Sequence, residues 1–494
     1  MGDSVSKQLS LGDSTIRAQV LNLDRWLIPQ QHPDIPRFTS GNQVDPLIDG
    51  QRAFRAMHDA FTTAAPEQGY IYITGWDIVP AIHLLGRTGG AAVQLDTVLG
   101  TARSSGVDVR ILLFYVNALR RYPIITWESF LWARIFTDNK TRGRTGSHHQ
   151  KTAAVRTREG LVSFVGGIDL TTDRWDTSAH CHPDPDADYQ GTGQPWHDVH
   201  ARVRGPAAAD IETNFRHRWN DRHPNPVDQV PVHPTPAPLA NGTHIVQTLR
   251  TFPNNASRLG TAWPYNFAPN GEFGLRRGYL NAIGNARDYI YIEDQYIVGD
   301  DISTAIAAVM RRSERLQVIL VTSPAPDMFV DAFDFHQNEF VRRLRAVDAS
   351  RVQIFHLENR ALGRCASLGT PGGTGIYCHT KVCIIDDIWA IIGSCNTNRR
   401  SLTHDSEISI AILDQTIERG RRKFARDLRI ALWVEHLGLT SAELPLIDDP
   451  IVGTAEWRSR AGRSPAHAVV HTRPAGSNSR FWDSDIDPDG LAPP

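Results

Sequence analysis

The sequence contains no run of roughly 20 apolar residues, the length that a helix needs to cross the hydrocarbon core of a bilayer. Its first residues, MGDSVSKQLSLGDS, are polar and lack the apolar stretch of a secretory signal. We therefore expect a protein that is cytoplasmic or peripheral at a membrane and has no transmembrane segment. Export by a route that reads no N-terminal signal stays open.

Cysteine is scarce, and neither sign of charge is in excess. Five irregularly spaced cysteines do not make the even set of a disulfide framework, so we expect reduced thiols. Lys and Arg number 52, Asp and Glu number 54, and the formal net charge is −2. Domains that hold nucleic acid by bulk electrostatics are usually basic, so we expect no nucleic-acid partner.

Proline is concentrated in residues 221–243, whose sequence DRHPNPVDQVPVHPTPAPLANGT disfavours both helix and strand. This stretch predicts a linker within a chain of 494 residues, which is too long for one ordinary core. On either side we predict a first half at 41–220 and a second half at 244–472. Residues 1–40 would be an N-terminal extension and residues 473–494 a flexible tail.

The two halves repeat one plan. A helix-like stretch precedes a β-rich run in each half, at 51–64 and 70–73 in the first and at 275–287 and 289–292 in the second. Each half continues with another apolar strand, a His-x-Lys segment, a Gly-containing turn and a late helix with a Trp. Duplication with alternating strands and helices predicts an α/β fold. We expect two similar sandwich lobes with pseudo-two-fold symmetry and one active site at their interface.

A histidine and a lysine lie two residues apart in each half. His149 and Lys151 are followed by Gly166-Gly167-Ile168-Asp169, and His379 and Lys381 by Asp386 and Gly393-Ser394-Cys395-Asn396. Residues two apart on a strand share a face. Two such pairs meeting across a dyad would place two imidazoles and two ammonium groups around one phosphate.

This combination of side chains suits displacement at phosphorus without a metal or another cofactor. One imidazole can attack phosphorus, and the other can protonate the leaving oxygen and then activate water. The ammonium groups neutralise charge on the non-bridging oxygens. The run His180-Cys181-His182-Pro183-Asp184 carries metal-capable side chains, but its Pro and Asp content predicts a surface loop, not a metal site.

The spacing His-x-Lys-x-x-x-x-Asp followed by Gly-Ser-x-Asn resembles the signature of the phospholipase D superfamily. From about residue 40 to residue 440, further segments are similar to its phosphatidylcholine-hydrolysing branch, among them ITGWD at 73–77, GGIDL at 166–170, PWHDVH at 195–200, YIEDQY at 291–296 and ALWVEHLG at 431–438. The resemblance implies hydrolysis of the distal phosphodiester bond of a phospholipid at a membrane surface. Water or a small alcohol would be the acceptor, and we expect a monomer.

The resemblance also assigns roles to the two histidines. His149 would be the nucleophile that forms a phosphohistidine, and His379 the general acid and base. In such enzymes an acidic residue that follows each motif orients its histidine, and Asp176 and Glu407 are the candidates. A carboxylate on one ring nitrogen fixes the tautomer and leaves the other nitrogen to react.

By the same resemblance, Lys151 and Lys381 would bind the phosphate, with a hydrogen bond from Asn396. Asp386 completes the second motif and is included in the catalytic set as a supporting group, but Arg156 stands where the first motif should end in Asp. An arginine there would reverse the charge near Lys151 and could weaken that half-site.

Two alternatives therefore remain: a lipid-binding pseudoenzyme, and a phosphodiesterase or nuclease of the same superfamily. Asp198 and His200 are interpreted as structural or supporting residues. Glu272 is a candidate cleft residue without an assigned role.

Overall fold

The computed structural model describes residues 21–66, 69–114, 134–138, 146–181, 186, 195–223, 225–233, 242–254, 265–323, 330–359 and 374–472. The predicted tail at 473–494, residues 1–20 and part of the predicted linker lie outside the described residues. The predicted domain boundaries stay predictions.

The strands of the first half are β1 (Thr39–Ile48), β2 (Tyr70–Gly75), β3 (Asp108–Phe114), β4 (Arg134–Asp138), β5 (Thr152–Arg156), β6 (Leu161–Gly166), β7 (Trp196–His197) and β8 (Val199–Arg204). Those that follow residue 243 are β9 (His244–Phe252), β10 (Glu272–Phe273), β11 (Tyr289–Asp294), β12 (Gln317–Thr322), β13 (Val352–Asn359), β14 (Thr374–Cys378), β15 (Lys381–Ile385), β16 (Trp389–Gly393), β17 (Glu407–Asp414), β18 (Ile417–Glu418), β19 (Arg421–Arg422) and β20 (Ala468–Val470).

The helices are α1 (Leu23–Trp26), α2 (Gly50–Thr62), α3 (Leu95–Ser104), α4 (Ala207–Arg222), α5 (Gly274–Asn285), α6 (Asp300–Arg312), α7 (Val330–Asp348), α8 (Arg399–Thr403), α9 (Lys423–Leu437), α10 (Pro445–Asp448) and α11 (Pro450–Arg460). Among the described residues, no helix is long and apolar enough to cross a membrane.

The described strands of the two halves form sheets with the same order. The first sheet runs β4-β3-β2-β5-β6-β8-β1, and the second runs β13-β12-β11-β15-β16-β17-β9. In each sheet the first three strands named are parallel and the later neighbours are antiparallel. Strand β1 also pairs with β9, which joins the sheets. The α/β fold of two similar lobes is confirmed.

Strand burial follows from this layering. Every residue of β2 (YIYITG) and of β11 (YIYIED) is buried, as expected for parallel strands that are covered on both faces. A central core between the sheets contains residues of both lobes and of α4 and α9, including Trp219 and Trp433. Helices α2 and α3 cover the outer face of the first sheet, and α5, α6 and α7 cover that of the second.

Two local features differ from simple expectation. Trp26, Leu27 and Ile28, in the predicted N-terminal extension, pack into the outer core of the second half.

Cys181 is disulfide-bonded, so the expectation of reduced thiols is wrong at this position. Sequence spacing could not show this, because a disulfide depends on how close two cysteines come in the fold. Cys378, Cys383 and Cys395 are free and buried.

Candidate functional site

His149 and His379 face each other where the two lobes meet. His149 lies three residues before β5, and His379 lies two residues before β15. The centroids of the two imidazole rings are 6.4 Å apart. Because β5 and β15 occupy the same position in their sheets, the duplication itself brings one histidine from each half to a shared cleft.

The Nδ1 atom of His149 has two acceptors. Glu407 Oε1 and the carbonyl oxygen of Ser394 each lie 3.0 Å from it. A carbonyl oxygen can only accept, so Nδ1 carries the proton and the neutral ring presents an unprotonated Nε2. Nε2 makes no hydrogen bond with a described residue. Glu407, a candidate orienting residue, therefore contacts the histidine that belongs to the other half.

The orienting carboxylate at His379 comes from Asp198, whose Oδ2 lies 2.7 Å from His379 Nδ1. The other oxygen of Asp198 accepts from the backbone N–H of Val199 at 2.8 Å, which fixes the carboxylate. Asp198 is fully buried. The interpretation of Asp198 as a supporting residue understated its direct contact with the histidine.

The prediction for Asp176 is corrected by its contacts. Its carboxylate accepts from the backbone N–H groups of Thr177 and Trp196, both at 2.7 Å, and lies 3.0 Å from His180 Nδ1. Asp176 follows the first motif more closely along the chain than Asp198 does. However, Asp198 directly precedes β8 and lies in the cleft, whereas Asp176 lies in the loop after β6.

The two lysines lie beside their histidines. Lys151 Nζ donates to the carbonyl oxygen of His149 at 2.8 Å and pairs with Asp169 Oδ2 at 3.2 Å. Lys381 Nζ donates to the carbonyl oxygen of His379 and lies 3.5 Å from Gln295 Oε1. Both ammonium groups are buried, and both lower the pKa of His149, which places two positive charges next to the cleft.

Asn396 and Asp169 occupy equivalent positions, three residues after the glycine that ends β16 or β6. Asn396 Nδ2 donates to Asp294 Oδ1 at 3.1 Å, and Asp169 Oδ1 accepts from the backbone N–H of Trp76 at 2.8 Å. The roles of Asp169 and Asp294 were not predicted, although both lie in segments that carry the family resemblance. Aligning the Gly-containing turns of the two halves would have identified Asp169, because it lies as far after Gly166 as Asn396 lies after Gly393.

Asp386 lies outside the cleft, so its assignment to the catalytic set is corrected. It follows the last residue of β15, about 16 Å along the strand from Lys381. Its carboxylate accepts from the backbone N–H groups of Arg287, Asp288 and Tyr289, at 2.8, 2.9 and 2.9 Å. Asp386 thus fixes the turn that leads into β11.

Arg156, like Asp386, lies at the end of its strand that is far from the cleft. It is the last residue of β5, where it pairs with Leu161 of β6, and its carbonyl oxygen accepts from Ala65 N–H at 2.9 Å. The side chain is therefore about 16 Å along the strand from Lys151. The expected charge reversal beside Lys151 does not occur.

Burial shifts the protonation equilibria of the cleft. Burial and the charges of Lys151 and Lys381 lower the pKa of His149 well below its usual value. Burial, Lys381 and Arg174 do the same to His379. Burial and the Asp405 charge raise the pKa of Glu407 to about 8. Each shift has burial as its main cause, which disfavours the charged form and favours neutral imidazoles.

Glu272 is engaged elsewhere. Its carboxylate forms a buried ion pair with Arg250, with Nε to Oε2 at 2.9 Å and Nη2 to Oε1 at 2.5 Å. This pair connects β10 to β9. The structure gives Glu272 a packing role in the second half.

Two family models match overlapping parts of the chain. The family described as Phospholipase D matches residues 133–305, and the family described as Cardiolipin synthase, PLD-like domain, matches residues 279–428. The first match contains His149 and Lys151, and the second contains His379, Lys381 and Asn396. The chain belongs to the phospholipase D superfamily.

Curated relatives share about a quarter of the aligned residues. Phospholipase D alpha 1 of Carica papaya is 26% identical over 527 residues, which cover 80% of this chain and 65% of that protein. Phospholipase D alpha 2 of Oryza sativa is 27% identical over 532 residues, with 80% and 65% covered. The chain therefore spans just under two thirds of the length of these relatives.

A solved structure shares the fold. Phosphatidylserine synthase of Haemophilus influenzae superposes with a TM-score of 0.52 at 12% sequence identity, over 86% of this chain and 94% of that one. Such a likeness supports the two-lobe α/β fold alone.

Proposed function

We propose that the protein is a phospholipase D-type phosphodiesterase. It would hydrolyse the distal phosphodiester bond of a phospholipid such as phosphatidylcholine, releasing phosphatidate and a free head group. The observation that carries the proposal is the pair of facing imidazoles, His149 and His379, each held through Nδ1 by a carboxylate from the opposite half. Two Nε2 atoms are thereby left to react at one phosphate.

In the first step, Nε2 of His149 attacks phosphorus. The bond between phosphorus and the head-group oxygen breaks, and His379 gives its Nε2 proton to that oxygen. The product is a phosphatidyl group on His149 Nε2 and a free alcohol. Asp198 supports this step because it stabilises the protonated ring of His379 through Nδ1.

In the second step, the neutral His379 takes a proton from water as the water oxygen attacks phosphorus. The bond between phosphorus and Nε2 breaks, which releases phosphatidate and restores both histidines. A primary alcohol in place of water would give a phosphatidyl alcohol by the same step. Lys151 and Lys381 would bind the non-bridging oxygens in both steps, with Asn396 as a further donor.

The lowered pKa values of His149 and His379 agree with these two reaction steps. The nucleophile must be neutral to attack, and burial and the two lysines keep His149 neutral. A general acid must be protonated when the substrate is bound. The phosphodiester carries a negative charge that offsets Lys151 and Lys381, so substrate binding favours the protonated form of His379.

The pseudoenzyme alternative rested on Arg156. Since Arg156 lies at the far end of β5, its charge gives no reason to expect an inactive first half. A peripheral protein that acts on lipid at a membrane surface remains the proposal.

The test uses the full chain with phosphatidylcholine vesicles, ethanol and a chelator. We expect choline, phosphatidate and phosphatidylethanol from the wild type and no turnover from His149→Ala or His379→Ala, with at most the one equivalent of choline that accompanies formation of the intermediate in His379→Ala. A phosphate label trapped by rapid quench should be acid-labile, should persist in His379→Ala and should be absent from His149→Ala. Cleavage of DNA without any phospholipid product would support the nuclease alternative, and no product from either substrate would support the pseudoenzyme.

A further inference from the structure

A buried histidine, His148, directly precedes the nucleophile and takes no part in the proposed reaction. It forms a parallel β-bridge with Ser406, the residue before Glu407. The N–H of His149 donates to the carbonyl oxygen of Ser406 at 3.0 Å, and the N–H of Ser406 donates to the carbonyl oxygen of Ser147 at 2.9 Å. The reactive pair His149 and Glu407 directly follows the bridge, so the bridge sets the register between them.

The side chains of the two bridge residues bond to each other. Ser406 Oγ lies 2.6 Å from His148 Nδ1, and Asp138 Oδ1, at the end of β4, lies 2.8 Å from His148 Nε2. A carboxylate oxygen accepts, so Nε2 carries the proton and Nδ1 accepts from the Ser406 hydroxyl. Burial and the charge of Arg218 lower the pKa of His148 to about 4, which keeps this ring neutral at physiological pH.

These side chains point away from the reactive pair. Neighbouring side chains of an extended segment alternate between its two faces, so His148 and Ser406 lie on the face opposite to His149 and Glu407. Ser406, His148 and Asp138 are the residue types of a hydrolytic triad. However, Ser406 and His148 are completely buried, so the hydroxyl cannot reach a substrate. The set acts on the backbone and not on a bond of the lipid.

Gln150, the residue after the nucleophile, is held by the same network. Its Oε1 accepts from Arg218 Nη1 at 3.0 Å, and its Nε2 donates to the carbonyl oxygen of Glu407 at 3.2 Å. Arg218, in α4, also pairs with Asp138, with Nη2 3.3 Å from Oδ2. Both neighbours of His149 are therefore tied to the Asp138–Arg218 pair and to the other half of the chain.

The other side of the cleft is built differently. Cys378 precedes His379 as His148 precedes His149, and it pairs with His197 where β14 runs parallel to β7. A thiol is a weak donor and a weak acceptor, so Cys378 cannot make the two hydrogen bonds that His148 makes. The repeated fold does not require a histidine at this position. The difference indicates a need particular to the nucleophile, since a misplacement of about 1 Å can cost about 10²-fold in rate.

We propose that His148 and Ser406 form a positioning pair, which holds the nucleophilic histidine in register with the carboxyl group that orients it. The inference rests on the proposed function, in which His149 attacks phosphorus. Loss of the hydrogen bond between His148 and Ser406 should slow the attack more than the breakdown of the intermediate. The reason is that a covalent bond already holds the phosphate on His149 in the second step.

The test compares two variants of the full chain with a matched control. Ser406→Ala removes the donor of the hydrogen bond, and His148→Gln removes the acceptor at Nδ1. Ser163→Ala is the control, because Ser163 is equally buried and its hydroxyl donates to the carbonyl oxygen of Ala208 at 2.8 Å, in the middle of β6. Rapid quench of phosphatidylcholine turnover gives separate rate constants for formation and breakdown of the phosphohistidine.

We expect the rate constant for formation to fall by about tenfold or more in Ser406→Ala and His148→Gln, and breakdown and KM to change by less than about threefold. The double variant should be no slower than the slower single variant, because both changes remove one interaction. Ser163→Ala should lose a similar amount of thermal stability and keep both rate constants. Equal effects of Ser406→Ala and Ser163→Ala on formation, or equal losses in formation and breakdown, would overturn the proposal.

Crystal structures of the variants test the same pair without relying on turnover. We expect the 3.0 Å contact between His149 Nδ1 and Glu407 Oε1 to persist in Ser163→Ala and to be lost in Ser406→Ala. Retention of this contact in Ser406→Ala would contradict the positioning role whether or not the wild type is active. An inactive wild type together with a displaced His149 ring in Ser406→Ala would overturn the proposed function and leave the positioning role supported.

Discussion

Asp198 and His379 belong to different halves of the chain, yet a 2.7 Å hydrogen bond joins their side chains. Glu407 and His149 repeat this relationship in the opposite direction at 3.0 Å. The two carboxylates are equivalent: Gly166 pairs with His200 and Gly393 pairs with Ser409, and each carboxylate lies two residues before that partner. Each half thus completes the reactive histidine of the other, so neither half can form the site alone.

Replacing either carboxyl group by an amide should impair catalysis without unfolding the protein. We expect Asp198→Asn and Glu407→Gln each to lower kcat by about 10²- to 10⁴-fold, because the amide no longer fixes the Nδ1–H tautomer or stabilises the protonated ring. Steady-state release of choline from phosphatidylcholine measures the effect. Glu358→Gln is the control, since Glu358 contacts His356 at the same 3.0 Å distance outside the cleft. Equal losses in all three variants would argue against an orienting role.

The sequence predicted the repeated elements because their patterns are local. The runs at 70–73 and 289–292 became β2 and β11, and the duplication correctly indicated two similar lobes. The exchange of carboxylates between halves could not be predicted in this way, because it depends on how the sheets pack. Asp176 was chosen because it follows the first motif closely along the chain. Asp198 reaches His379 because the pairing of β8 with β6 places the start of β8 at the cleft. Asp386 looked catalytic because it belongs to the motif, but strand length carries it away from the cleft.

The glycine at 167 should be needed for the position of Asp198. A Cβ atom at this residue would lie 2.1 Å from Asp198 Oδ1. We therefore expect Gly167→Ala to displace the carboxylate and lower kcat by at least tenfold, with the fold retained. Gly284→Ala is the matched control: its Cβ would meet nothing within 4 Å, and Ala should stabilise α5 by up to about 1 kcal/mol. Unchanged kcat in Gly167→Ala would show that Asp198 tolerates the displacement.

Restoring the family residue at the end of β5 should have little effect on activity. Arg156 is separated from Lys151 by the length of the strand, so Arg156→Asp should change kcat/KM by less than about threefold. The measurement is choline release at low and high ionic strength. Lys151→Met serves as the comparison, since it removes a charge next to His149. A gain of tenfold or more in Arg156→Asp would mean that the arginine does weaken the first half-site.

Asp386 should matter for stability more than for chemistry. Asp386→Ala leaves three backbone N–H groups without their acceptor, which should lower the free energy of unfolding by about 2–4 kcal/mol. Asp386→Asn should lose less stability, because the amide oxygen still accepts hydrogen bonds from backbone N–H groups and Asn tolerates the positive φ of 57° at this position. Urea unfolding gives the stability, and kcat of the folded fraction should stay within about threefold of the wild type. A large loss of kcat in folded Asp386→Asn would return Asp386 to the catalytic set.

The raised pKa of Glu407 predicts how stability depends on pH. Its carboxyl group titrates near 4.5 when unfolded, and burial raises the pKa to about 8 in the folded protein. Between these values the folded state binds more protons than the unfolded state, so this group's contribution to stability is lost as the pH rises from 4.5 to 8. Glu407→Gln cannot ionise and should lack that loss. We therefore expect the free energy of unfolding of Glu407→Gln to increase relative to that of the wild type as the pH rises, by a few kcal/mol between pH 5 and pH 9. Urea titrations at both pH values, with Glu358→Gln as the control, measure the difference. A difference that stays constant with pH would mean that Glu407 is already ionised in the folded protein, with His149 as its protonated partner.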